Sequence, residues 1–474
     1  MALKIYNTLT RQKEVFKPLH GNRVYMFVCG PTLYDYSHLG HAKCYVAFDV
    51  IARYLRYKGY SLFYLMNITD VEDRIIQRAE ESNKDPVQLA KDLEPSFSED
   101  MAALGVNSVN LYARASEHIP EIIDQIRRLI EKGYVYETKT GVYFDLAKFE
   151  DFGKLSHQKL DEAKKHRIDP DPTKKKPEDF ALWKKKKSGP LWDSPWGKGR
   201  PGWHIEDTAI SELYLGEQYD IHGGGIDLIF PHHESEIVQM ESLSGKKPMV
   251  NYWLHSGLLM VSGERMGKSM GNFVTISDAL KDYDAEVLRY FYASTHYRSP
   301  VEYTQESLKQ AKESLETLYN ALDNLGKLKA TKRKRLDEDE KKLKNELFET
   351  KKSFLTAMDD DFNTPVALSH LFHMATSINK FTAAKRDIKG RLSQDITNTF
   401  KELGSILGIL QKEKEAFEEE SVRELVELLV ELRERFRERK DFEASDRIRA
   451  RLRELGIVLE DTSDGVKWKG QILR

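Results

Sequence analysis

Val24-Tyr25-Met26-Phe27-Val28-Cys29-Gly30-Pro31-Thr32-Leu33-Tyr34-Asp35-Tyr36-Ser37-His38-Leu39-Gly40-His41 decides the fold of this 474-residue chain. Val24 to Val28 reads as a buried strand, and Ala42 to Tyr57 beyond the stretch reads as an amphipathic helix. A second strand over Ser61 to Asn67 completes a βαβ unit, and with it a parallel sheet with crossover helices. Such sheets bind ligands outside the carboxyl ends of their strands, beside a helix N-terminus. The junction at residues 29–41 is that place. His38 and His41 can donate to phosphate oxygens beside the helix start, and Gly40 lets a ligand come close to the backbone. The same histidines also suit a helix cap or a plain surface position. Cys29 stands at the lip of the same pocket.

Composition bounds what the rest can be. The length predicts roughly three domains, and 40% apolar residues suffice for a sizeable core. A formal charge of −2 means that any nucleic acid must be met by local basic patches. Cys29 and Cys44 are the only cysteines, which predicts a reducing, cytoplasmic setting. No 18-residue apolar run and no leader-like start are present, so no membrane partner is expected.

Farther along, Ile119–Lys132 reads as a helix and Tyr134–Asp145 as a hairpin turning at Thr140-Gly141. Lys164–Lys187 is basic, broken by three prolines, and predicts an exposed insertion. A new βα pattern over Tyr219–Met240 starts a second half of the sheet near residue 200. From Gln305 helical periodicity dominates, as in a bundle. Thr331–Lys344 reads as a loop or a solvated helix face, Gln411–Glu420 as a linker, Val422–Leu455 as one long charged helix and Ile457–Lys469 as a hairpin. Between Arg433 and Arg453 nine basic residues face five acidic ones, a surplus of four. The expected fold class is α/β, a Rossmann-like parallel sheet split by an insertion and followed by helices. Its expected divisions are 1–115, 116–200, 201–304, 305–410 and 421–474.

Two further constellations suit chemistry. Arg265-Met266-Gly267-Lys268-Ser269-Met270-Gly271-Asn272 is a short basic loop suited to gripping a triphosphate, Lys268 adding charge as pyrophosphate departs. Alone such loops are common on surfaces; as a partner to the histidines it gains force. The other constellation is Gly202–Asp207, Ile221–Gly225 and Pro231–Glu236. If residues 232–236 open a helix, His232 and Glu236 lie one turn apart on one face, the spacing of two metal ligands that Cys29 could complete. The competing reading is a polar helix start whose carboxylates favour the dipole. Asp70, after the second strand, reads equally as a helix cap or as a contact for an amino group or ribose.

Together these segments, from Tyr6-Asn7-Thr8 to Gly456–Trp468, resemble the cysteinyl-tRNA synthetase family of class I aminoacyl-tRNA synthetases. His38–His41 matches the class I histidine signature, and Arg265–Ser269 matches its Lys-Met-Ser-Lys-Ser loop. Asp359-Asp360-Asp361-Phe362-Asn363-Thr364-Pro365 is similar to the start of the family's anticodon-binding helices, and Lys440 to Trp468 to its small C-terminal domain. The resemblance implies ATP-dependent activation of L-cysteine to cysteinyl-adenylate, then transfer to the 3′ end of cysteine tRNA; the sequence leaves the oligomeric state open, with a monomer favoured. It implies His38, His41 and Lys268 as catalytic residues, with Gly40, Arg265, Met266, Gly267 and Ser269 binding ATP and its Mg²⁺. It implies Thr69, Trp203, His222 and Asp227 around the substrate, and a Zn²⁺ held by Cys29, Asp207, His232 and Glu236. Zinc would separate cysteine from serine, which size alone does poorly.

Two positions depart from the pattern. The family has a second cysteine where this chain has Asp207, which makes the expected site richer in oxygen. Arg265 and Gly267 stand where the family usually has Lys and Ser. A ligase joining cysteine to an amino sugar, or a non-catalytic RNA-binding paralogue, would share parts of the pattern. The helices after residue 305 favour tRNA over the sugar, and intact His38, His41 and Lys268 favour an enzyme.

Overall fold

The apolar run at residues 24–28 becomes the central strand of a parallel sheet. In a computed structural model, residues 2–158, 171–266, 271–412, 419–455, 457–462 and 465–470 are described. The first half of the sheet is β1 (Arg23–Val28), α1 (Leu39–Tyr57), β2 (Ser61–Ile68) and β3 (Leu111–Arg114). The second half is α2 (Trp203–Leu215), β4 (Tyr219–Gly225), α3 (Glu234–Ser244) and β5 (Val250–Ser256). The strand order is β5-β4-β1-β2-β3, parallel throughout. The chain thus leaves the sheet after β3 and returns at β4 on the other side of β1, which makes the gap between β1 and β4 a switch point. Met26 pairs with Ile221 and Val28 with Gly223, so both strands end at the same level. Helix α1 begins three residues before the sequence pattern suggests, because His38 caps it.

The insertion between the halves carries an antiparallel sheet of Val135–Glu137, Gly141–Phe144, Phe180–Lys185 and Gly199–Pro201. The expected exposed insertion over Lys164–Lys187 therefore needs correction at its end. Leu182 and Trp183 are fully buried, and the lysines around them hide the strand's apolar positions from a pattern reading. Residues 159–170 lie outside the described ones.

After β5 come α4 (Ala285–Ala293), α5 (Gln305–Gly326), α6 (Glu338–Met358), α7 (Thr364–Ala384) and α8 (Gly390–Leu407). Within Thr331–Lys344, Thr331 ends a short strand and Asp337 caps α6, its carboxylate accepting from Glu340 N. The bundle is fastened to α1 by buried polar bonds. Arg289 on α4 reaches Asp49 at 2.6 Å, and Tyr54 donates to Asp359 at 2.7 Å.

Residues 1–411 form one compact unit and 412–474 a second. The second holds α9 (Glu419–Glu438), α10 (Phe442–Glu454) and a hairpin of Ile457–Thr462 with Gly465–Gly470. Its core is Val426, Leu452, Ile457 and Leu459. The single long helix expected over Val422–Leu455 is two helices. Lys440 takes a left-handed backbone (φ 59°) and Asp441 caps the second helix. No helix among the described residues is long and apolar enough to cross a membrane.

Candidate functional site

The spacing His-x-Gly-His is a helix-capping device. His38 is the N-cap of α1, and its Nδ1 accepts from Gly40 N at 3.0 Å and His41 N at 3.3 Å. His41 returns the favour, its Nδ1 accepting from His38 N at 3.4 Å. Two orphan donors of the helix start are met reciprocally. The rings stack at 3.8 Å. With both Nδ1 atoms accepting, each neutral ring carries its proton on Nε2. Burial, assisted by the charge of Arg265, holds His38 down at about 4, and burial with His38 beside it holds His41 well below its usual range. Gly40 also leaves room for the cap: a Cβ there would lie 2.8 Å from Cε1 and 2.9 Å from Nδ1 of the His38 ring.

The histidine pair meets the distant basic loop. Leu39 N donates to Val274 O at 3.1 Å, Ile276 N to Ser37 O at 3.0 Å, and Phe273 packs edge-on against His38. Arg265, on the other stem of the loop, pairs with Asp227 at 2.6 Å. Gly267, Lys268 and Ser269 lie outside the described residues.

A cavity of about 450 Å³ joins these parts with the ends of β1, β2 and β4. His38, Gly40, His41, Asp227, Arg265 and Met266 line one part of it; Cys29, Thr69, Trp203, Asp207 and His232 line the other. His222 and Glu236 do not line it; both are fully buried. Cys44 lines the cavity too, but it is not part of the cluster around Cys29.

Cys29 leaves β1 with its N–H on Gly223 O at 3.0 Å, and its Sγ lies 3.3 Å from Asp207 Oδ2, 3.5 Å from His222 Nε2 and 3.1 Å from His233 Nε2. The kinked segment Ile229–His233, with Phe230 extended, leads into α3 and sets His232 Nε2 3.0 Å from Glu236 Oε1 and 3.0 Å from Asp207 Oδ2. Trp203, the first residue of α2, stacks on His232 at 4.2 Å. The donor atoms of Cys29, His232, His233 and Glu236 all lie within 4.8 Å of one another.

The electrostatics of this cluster suit a divalent cation. Burial, with Asp207 and Glu236 nearby, pushes the Cys29 thiol well up, and burial pushes Glu236 up to about 7. His232 is raised to about 10: burial opposes its charge, but Glu236 and Asp207 outweigh that. The protein alone needs a protonated imidazole to balance these acids. A bound metal would supply that charge, and sulfur, imidazole and carboxylate oxygen are all zinc donors. Both Glu236 oxygens are buried and face imidazoles, Oε1 3.0 Å from His232 Nε2 and Oε2 3.4 Å from His222 Nε2.

Several residues here were not singled out from the sequence. Asn67 on β2 donates to Asp207 Oδ1 at 2.7 Å and accepts from Gly30 N at 2.6 Å, so it orients both sides of the cluster. Gly30 has no room for a side chain against Asn67 O. His204 meets His232 Nδ1 at 2.8 Å, His255 meets His233 Nδ1 at 2.9 Å and Thr8 at 2.8 Å, and Tyr219 meets His222 Nδ1 at 2.7 Å. Five of the chain's 14 histidines thus converge, and only the strand register could have brought His255 beside Gly224. Asp70 does not cap the following helix, which Glu72 caps; it accepts from Ser116 N and Oγ.

Comparison with known proteins agrees with the geometry. Residues 15–313 match the tRNA synthetases class I (C) catalytic domain, and residues 353–411 match the DALR domain. The fold is similar to Mycobacterium tuberculosis methionyl-tRNA synthetase in complex with methionyl-adenylate (TM-score 0.60, 17% identity, covering 81% of this chain and 90% of that one). The match over residues 15–313 makes the chain a class I aminoacyl-tRNA synthetase, with its cavity at the sheet's switch point. Cysteine--tRNA ligases are similar over nearly the full length: 50% identity to that of Thermococcus gammatolerans over 99% of both chains, and 51% to that of Pyrococcus horikoshii over 99% of both. That of Methanococcus maripaludis is 48% identical over 97% of both. The chain belongs to the cysteine--tRNA ligase family. Matches over the whole length leave the amino-sugar ligase and the non-catalytic paralogue without support.

Proposed function

We propose that the chain joins cysteine to tRNA through the cavity described above, with ATP at the histidine half and cysteine at the Cys29 half. Membership of the cysteine--tRNA ligase family makes it an aminoacyl-tRNA synthetase whose substrates are cysteine, ATP and tRNA. The observation that carries the division of the cavity is its two linings, neutral imidazoles with Arg265 on one side and a buried sulfur–imidazole–carboxylate cluster on the other.

On this reading the carboxylate of cysteine attacks the α-phosphorus of ATP, and pyrophosphate leaves. His38 and His41 donate from Nε2 to phosphate oxygens, and as neutral donors they need no proton exchange to do so. Lys268 and Arg265 add positive charge where it develops. Trp203 and Thr69 wall the cysteine, and His222 acts from behind Cys29. A ribose hydroxyl of the tRNA's terminal adenosine then takes the cysteinyl group.

Cys29, Asp207, His232 and Glu236 would hold a zinc ion. Bound there, zinc would take the sulfur of cysteine as a ligand and so prefer it to the hydroxyl of serine. We assign residues 305–410 to anticodon binding, 421–474 to a further tRNA contact, and a monomeric, cytoplasmic form to the enzyme. The test is cysteine-dependent exchange of pyrophosphate into ATP, followed by charging of cysteine tRNA and zinc analysis of the purified protein. Exchange without tRNA charging would overturn the function, and about one zinc per chain supports the metal.

A further inference from the structure

Lys43 sits two residues beyond His41, does not itself line the cavity, and is only 3% exposed. Its ammonium donates to Gly257 O at 2.8 Å, Tyr297 O at 3.0 Å and Ser256 Oγ at 3.3 Å. All three acceptors are uncharged. Burying an ammonium is costly, and an apolar side chain of similar volume usually serves stability as well or better. What an apolar group cannot do is draw two carbonyls from separate segments onto one point.

Those segments matter for the reaction. Ser256 ends β5, and Gly257 opens the stem that continues through Leu259–Val261 and Glu264–Arg265 into the basic loop. Tyr297 belongs to the turn after α4, which meets this stem: Gly257 N donates to Tyr297 O at 2.9 Å, and Gly257 has no room for a Cβ against Ser299. The junction is also fixed by Asp361, which accepts from Tyr297 OH at 3.0 Å and Arg298 Nε at 2.8 Å. From the histidine helix, Lys43 grips it through the carbonyls of both segments.

We propose that Lys43 is a positioning residue for adenylation, locking the stem of the ATP loop to the helix that carries His38 and His41. The two halves of the triphosphate site come from chain segments more than 200 residues apart. Lys43 fixes their separation, so that loop and histidines meet the departing pyrophosphate together. This rests on the assignment of ATP to that cavity. A misplacement of about 1 Å between such groups costs on the order of a hundredfold in rate.

The test is steady-state pyrophosphate exchange and thermal unfolding of full-length Lys43→Met and Lys43→Arg, with His41→Ala as a control on the ATP assignment. Lys43→Met is expected to lower kcat about tenfold to a hundredfold, with KM for cysteine unchanged and the thermal midpoint held or raised. Lys43→Arg, which can reach the same carbonyls, is expected to recover most of the rate. A Lys43→Met enzyme within twofold of wild-type kcat overturns the proposal. So does a loss shared equally by kcat, cysteine KM and thermal midpoint, since that is a packing defect. If Lys43→Met does not fold, Lys43→Gln is judged by the same readings. Full exchange in His41→Ala would instead overturn the ATP assignment.

Discussion

His38 and His41 cap the same helix through each other. His38 Nδ1 accepts from the backbone N–H of His41, and His41 Nδ1 accepts from that of His38. The usual capping box uses a hydroxyl and a carboxylate. Building it from two imidazoles fixes both tautomers and leaves two Nε2–H donors at the cavity wall, on the positive end of the helix dipole. A cap and a phosphate site are therefore one arrangement.

The cap makes stability depend on pH. His38 takes a proton at about 4 in the folded chain, against an ordinary 6.5. The unfolded chain binds that proton first, so the neutral ring's contribution is complete above pH 6.5 and is lost as pH falls towards 4. His38→Asn keeps a capping acceptor that does not titrate. Between pH 7 and pH 5 the wild type should lose about 1–2 kcal/mol more than His38→Asn. Denaturant unfolding at the two pH values measures it, and equal losses would remove His38 from the acid response.

Gly40→Ala should separate folding from activity. Alanine favours a helix over glycine by about 1 kcal/mol. Displacing the His38 ring costs a cap worth about 1 kcal/mol. The thermal midpoint should barely move. Pyrophosphate exchange, which needs the ring where it is, should fall at least about tenfold. Unchanged exchange would mean that the ring tolerates a Cβ at 2.8 Å.

Arg289→Met should be among the most damaging changes outside the cavity. Arg289 and Asp49 are 2% and 0% exposed and 2.6 Å apart, and Arg289 also donates to Leu407 O and Leu104 O. Removing the cation breaks a buried ion pair, at a cost of about 3–5 kcal/mol reduced by Arg53, whose Nε still donates to Asp49 Oδ2 at 2.6 Å. Arg289→Met combined with Asp49→Leu should recover a large part of that. Thermal unfolding of the single and double variants decides the matter; additive losses would deny that the pair is coupled.

The βαβ unit, the restart near residue 200 and the helical region were legible because each buries a regular apolar face. Leu182 and Trp183 escaped because lysines flank them on a short strand. The break at Lys440 escaped because charge dominates both helices it separates, so no apolar stripe changes phase there. The signature histidines were legible as a motif, but their mutual capping was not, since imidazole rarely caps helices. Least legible was the cluster around Cys29. Asn67, His204 and His255 arrive from three elements, and only strand register and helix packing bring them together.

Asn67 shows how Asp207 can serve the cluster as a single donor. Its Nδ2 occupies Asp207 Oδ1, which turns Oδ2 towards Cys29 and His232 as a single donor. A carboxylate held this way can act as one ligand, not as a chelating pair. Asn67→Ala should therefore weaken zinc retention about tenfold to a hundredfold, as other losses of ligand-orienting partners do. Asp207→Cys should tighten it, because thiolate suits zinc better than oxygen. Asp207→Ala should still retain some metal, since Cys29, His232, His233 and Glu236 can all reach one point. Zinc content after dialysis against graded chelator concentrations orders the four proteins. Stripping the metal should also erase discrimination between cysteine and serine in pyrophosphate exchange. A metal-free enzyme that still rejects serine as strongly would assign selectivity to the walls around Trp203 and Thr69, and Asn67 would then be a packing residue.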